Sequence, residues 1–212
     1  MPPPRIFFLS PASSSGERAR LLFNQSAQFA IAQAVRTPEG APLGDVFSFL
    51  SGLYFRGKLG YARAFARPPA GVPGVVVITP SEGLVSPESP VTLDRLRRWA
   101  EVPIDAGEPR YCRPLRRDAR LVDRAAGPAC EVVLLGSIAS GKYVDVLLDL
   151  FGERLLFPTA FVGRGDMSRG GLMLRCTDEG RELDYAPVAT SVRHGERPPR
   201  LQPRRRPRPS AG

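Results

Sequence analysis

Histidine is almost missing from this 212-residue chain; His194 is the only one. That scarcity argues against a Ser–His–Asp triad and against a histidine-rich metal centre. Cysteine is nearly as scarce. Cys112, Cys130 and Cys176 are widely spaced with no CxxC among them, so neither a disulfide framework nor a metal cluster is expected. Cys130 opens an expected strand and Cys176 closes one, positions that suit core residues better than nucleophiles. Long apolar runs are absent too. None approaches the ~20 residues that span a bilayer, so no membrane partner is expected. The apolar stretch near the N-terminus is too short for a signal peptide, which makes the cytoplasm the expected compartment.

What remains is ordinary in bulk and uneven in charge. Hydrophobic residues make up 42% and charged residues 24%, the balance of a soluble globular domain. The formal net charge is +9. Seven arginines against Glu196 in residues 193–212 supply +6 of it, leaving +3 for everything else. Residues 189–212 are rich in Pro and Arg and nearly lack apolar side chains, so a disordered basic tail is expected after a single domain over residues 5–188. Arg204, Arg205, Arg206 and Arg208 can neutralise phosphates without reading sequence. The alternative is a solvated extension with no partner.

Within the domain, strand and helix patterns alternate. Residues 6–9 predict a strand, followed by one helix carrying Leu21, Leu22, Phe29 and Ala34, with Ser14 and Glu17 spaced as in a capping box. Residues 43–65 predict a second helical region that breaks near Gly57. Val75–Thr79 predicts a buried strand, and Thr92 caps a short helix through Glu101. Residues 103–114 read as irregular and 115–126 as a basic helix. Glu131–Leu135 is a buried strand, and Val144, Leu147, Leu148 and Phe151 recur at helical spacing after it. A strand at 155–157, a glycine-rich loop at 162–171, a strand at 172–176 and an edge at 183–188 complete the pattern. Alternation of this kind predicts an α/β fold, a mostly parallel sheet with helices on both faces.

In such sheets ligands bind beyond the carboxyl ends of the strands. Three expected strands end in small or glycine-rich loops, at residues 10–16, 79–83 and 136–141, and parallel neighbours would bring those loops to one crevice. Gly136-Ser137-Ile138-Ala139-Ser140-Gly141-Lys142-Tyr143 matches the phosphate-binding loop GxxxxGK[ST] except at Tyr143. Without that hydroxyl, a magnesium-dependent triphosphatase is disfavoured. An anion pocket built from the loop amides with Lys142 remains, beside the plainer reading that Ser140 caps a helix and Lys142 is solvated. Ser14, Gly16 and Arg18 offer a second cradle for a phosphate or carboxylate, or simply a turn. Arg164 and Arg169 flank Asp166 in the third glycine-rich segment and suit oxyanion contacts. Glu82, just beyond the second strand, and Asp166 are the carboxylates placed for acid–base work. Tyr54 and Lys58 lie one turn apart, which packing explains as readily as a ligand does.

The order of these features resembles the bacterial YaaA-like proteins. The resemblance rests on Leu9-Ser10-Pro11-Ala12 running into a Ser-rich turn before Arg18, on Leu53-Tyr54-Phe55-Arg56-Gly57-Lys58, and on Ile78-Thr79-Pro80-Ser81-Glu82-Gly83-Leu84. It covers residues 6–105. Glu82 departs from the basic residue or His that often precedes that Gly-Leu. The resemblance implies an α/β fold and a cytosolic role near nucleic-acid metabolism or oxidative stress. Taken together, the sequence predicts a protein that binds a nucleotide or another phosphate-bearing small molecule above the strand ends, with transferase or hydrolase chemistry. The alternative is a non-catalytic protein holding DNA or RNA through its tail. The residues name no cofactor.

Overall fold

Ile6, Phe7, Phe8 and Leu9 are all fully buried, and an apolar run hidden on both faces belongs in the middle of a sheet. The computed structural model, which describes residues 2–139, 141–193, 195–196, 198–199 and 201, puts β1 (Arg5–Leu9) there. After it come α1 (Glu17–Phe23), α2 (Ala30–Ala34), β2 (Ala41–Pro42), α3 (Leu43–Ser51), α4 (Leu53–Phe65), β3 (Val75–Thr79) and β4 (Gly83–Val85). The chain continues through β5 (Pro90–Val91), α5 (Leu93–Ala100), α6 (Pro109–Ala126), β6 (Glu131–Leu135), α7 (Gly141–Phe151), β7 (Leu155–Pro158), α8 (Asp166–Asp178) and β8 (Tyr185–Pro187).

Six strands form one sheet in the order β4-β3-β1-β6-β7-β8. The four inner strands are parallel, and β4 and β8 run antiparallel along the edges. β2 and β5 make a separate two-stranded ribbon. Successive residues of β1 show how both faces are covered, because side chains alternate along a strand. The Phe7 ring meets Tyr61 of α4 edge-on, and Phe8 meets Phe151 of α7. The fold is α/β, mostly parallel, with helices on both faces. Among the described residues no helix is long and apolar enough to cross a membrane.

Several local expectations give way to tertiary packing. The first helix is two short ones, α1 and α2, and Gly16 rather than Ser14 is the N-cap of α1, with no side-chain cap bond. The second helical region breaks at Gly52, whose φ of 59° suits glycine, and not at Gly57. α6 begins at Pro109, where a missing N–H costs nothing, and continues through Pro114. The larger correction is at residues 162–176. Residues 162–165 are a turn as expected, but from Asp166 on the glycine-rich loop and the following strand are instead the helix α8, which packs along α4.

Gly57 and Gly170 explain that crossing. A Cβ on Gly57 would lie 2.7 Å from the Gly170 carbonyl oxygen, and one on Gly170 2.6 Å from that of Leu53. The two helices touch backbone to backbone, and glycines that look like loop punctuation are the contact. The strand at 155–157 and the edge at 183–188 are present as β7 and β8. Val188 is buried and begins a short 3-10 turn through Thr190. The expected basic tail beyond residue 201 lies outside the described residues.

Candidate functional site

The chain leaves β1 for β3 on one flank, then returns past β1 to β6 on the other. β1 therefore ends where the winding reverses, the position at which ligands bind in such sheets. A cavity of about 670 Å³ opens there, within the range that holds a small ligand. Residues 10–15 after β1 and Ser137 after β6 line it, while Pro80 represents the loop after β3.

The predicted residues divide. Ser14, Ser137, Lys142 and Asp166 line the cavity. Gly136 follows β6, Gly141 begins α7, Gly16 is at the start of α1, and Ser140 is outside the described residues. Arg18 turns away and donates to the Phe49 carbonyl at 3.0 Å. Arg164 donates to the Ala160 carbonyl and Ser168 Oγ and borders a different depression. Arg169 holds the Phe161 carbonyl and lies 3.5 Å from Asp166. Glu82 is away from the cavity lining. It accepts from Arg95 Nε at 3.0 Å and from Trp99 Nε1 at 3.1 Å, an arrangement that ties the turn after β3 to α5.

Tyr143, which breaks the phosphate-loop pattern, bends back so that its hydroxyl donates to the Ser137 carbonyl at 2.9 Å. A Cβ on Gly136 would fall 2.7 Å from that hydroxyl and 2.8 Å from Ser10 Cβ. Gly136 thus lets the ends of β1 and β6 close on each other, a packing role beside any contact to an anion. Burial pushes the Tyr143 phenol up, against the opposing pull of Ser10 and the Ser137 carbonyl.

Beneath this end lies a residue that sequence patterning leaves open between packing and a ligand. Lys58 of α4 is fully buried. Its Nζ donates to the Ser10 carbonyl at 2.6 Å and to Ser10 Oγ at 2.9 Å, with the Tyr54 and Phe55 rings 4.6 and 4.7 Å away. Burial pulls its pKa down to about 7, only partly offset by Asp166. A signal was available. Of thirty basic residues only two are lysines, Lys58 and Lys142, and Lys58 falls on the apolar face of a helix. One lysine lies beneath the cavity and the other lines it.

Two hydroxyls at the cavity are buried without a hydrogen-bond partner, Ser14 Oγ and Tyr54 OH. Burial also pushes the Tyr54 phenol well above its ordinary range, with Arg169 opposing and Asp166 adding to the shift. The Tyr54 hydroxyl is therefore a neutral donor at ordinary pH. Among the described residues no three metal-ligating side chains come together. Comparison of the chain with protein-family models, with curated proteins and with solved structures finds no match in any of the three.

Proposed function

We propose that the protein binds a nucleotide or a similarly sized small anion in the cavity at the end of β1. The observation that carries this reading is the pair of unpartnered hydroxyls, Ser14 Oγ and Tyr54 OH. A buried donor left unpaired costs about 1–3 kcal/mol, which a ligand oxygen at these positions would recover. Lys142 is the cationic lining residue, against Glu101 and Asp166. That balance favours a ligand of low charge over a triphosphate. Leu50, Val102 and Ile104 supply an apolar wall for a base or ring. The resemblance to YaaA-like proteins supports the same α/β placement and covers the site's β1 and β3 loops and α4, but not the β6 loop or α8. Three free cysteines suit a reducing compartment, and we place the protein in the cytoplasm.

Thermal melts with a panel of nucleotides, nucleosides and sugar phosphates test the reading. A ligand at 100 times its dissociation constant adds about 2.7 kcal/mol to stability. The stabilisation is expected to shrink in Lys142→Ala and in Ser14→Ala. A panel without any shift would remove the nucleotide reading.

A second reading has its own observation. α6 carries six arginines against Asp118 and Asp123, a net +4. Arg113, Arg120 and Arg124 are exposed on it and make no ion pair among the described residues. Such a row suits the phosphate backbone of a nucleic acid, with or without the tail.

A further inference from the structure

We propose that Ser10 and Lys58 form a nucleophile–base pair that hydrolyses an ester or amide of the ligand held in the cavity, through an acyl-Ser10 intermediate. This rests on the cavity reading above and adds a reaction to it. Ser10 lines the cavity, whereas Lys58 is sealed behind it with its Nζ 2.9 Å from Ser10 Oγ. That is the separation a base needs to take a nucleophile's proton. The second bond, to the Ser10 carbonyl at 2.6 Å, fixes the amine in place.

Charge logic points the same way. Among the described residues Lys58 has no carboxylate in contact: Asp166 of α8 is the charge that acts on it, Ser10 just after β1 is its polar partner, and Tyr54 and Phe55 of α4 present rings. Tyr143 of α7 also faces the Ser10 side chain. Burial then favours the neutral amine, and lysine, unlike arginine, can shed its proton. A chain with twenty-eight arginines and two lysines has a lysine at this one sealed position.

In the step, Ser10 Oγ adds to the carbonyl carbon while its proton passes to Lys58 Nζ. The Ser14 and Tyr54 hydroxyls are donors on hand for the carbonyl oxygen. Collapse breaks the bond to the leaving alcohol or amine, which takes the proton from Lys58. A water then adds to the acyl carbon while its proton passes to Lys58 Nζ, and collapse breaks the bond to Ser10 Oγ, which takes that proton back as the acid leaves.

A fluorophosphonate probe on the full chain, read by intact and peptide mass, tests this. Ser10 Oγ bonds to phosphorus, fluoride leaves, and the serine proton goes to Lys58. Labelling at Ser10 is expected, rising about tenfold per pH unit below 7 and levelling above it. Ser10→Ala should abolish the adduct, and Lys58→Met should slow it at least about a hundredfold. If Lys58→Met does not fold, the wild-type pH profile decides alone, with His194→Gln excluding the histidine. No adduct, an adduct on Ser13–Ser15 instead, or a rate that keeps climbing with hydroxide overturns the pair. Labelled Ser10 with no ligand stabilisation from the panel would leave the pair and remove the nucleotide. Stabilisation by a ligand without labelling would do the reverse.

Discussion

Lys58 carries the sharpest residue-scale consequence, because its proton is linked to folding. In the unfolded chain the amine keeps its proton up to the ordinary value of 10.5, whereas in the fold it loses it near 7. Between those limits folding releases a proton, so stability rises with pH through the window and is flat below it. The expected slope is about 1.4 kcal/mol per pH unit at most. Urea unfolding of the wild type and of Lys58→Met at pH 6, 7.5 and 9 should show the gap moving in favour of the wild type. A parallel pair of curves would mean the buried amine keeps its charge. Little of this could be read in advance. Lys58 and Tyr54 were visible at helical spacing, but burial of an amine depends on what β1 and α8 place around it. Glu82 shows the converse: a carboxylate well positioned in sequence is taken up by Arg95 and Trp99, neighbours that only the fold supplies.

At the scale of elements, the α4–α8 crossing separates glycines that look alike. A Cβ on Gly57 would meet the Gly170 backbone at 2.7 Å, whereas one on Gly60 would find only Leu174 at 3.9 Å. Gly57→Ala should therefore cost about 2–4 kcal/mol by forcing two backbones apart. Gly60→Ala should gain about 0.5–1 kcal/mol from helix propensity. Thermal melts of the two variants check both signs. The same contrast explains which elements were legible. Buried strands such as β3 and β6, and the Thr92-capped helix α5, carry local signals that tertiary structure leaves alone. Glycines in α8 carry a local signal for a loop that close helix packing overrides. The three strand-end loops were legible as a set because parallel order, a global rule, gathers them. The two arginines of the glycine-rich segment were not, since Arg164, just ahead of α8, turns to the Ala160 carbonyl and Arg169, within α8, to that of Phe161.

For the whole molecule, charge and cavity lie in different places, and a salt titration separates them. Retention on double-stranded DNA should persist after deletion of residues 193–212 if α6 contributes, with log K falling by about 0.9 per decade of salt for each phosphate neutralised. Replacing Arg113, Arg120 and Arg124 by alanine should then reduce that slope by up to about 3. Loss of all retention with the tail would assign the contact to the tail.

The scarcity of lysine has a practical consequence of a different kind. An acylating reagent aimed at primary amines meets one exposed side-chain target, Lys142, and one sealed target, Lys58. Modification of the first would report whether the cavity is occupied. Modification of the second requires α4 and β1 to part, so its rate would clock the opening of the sheet's centre at a single atom.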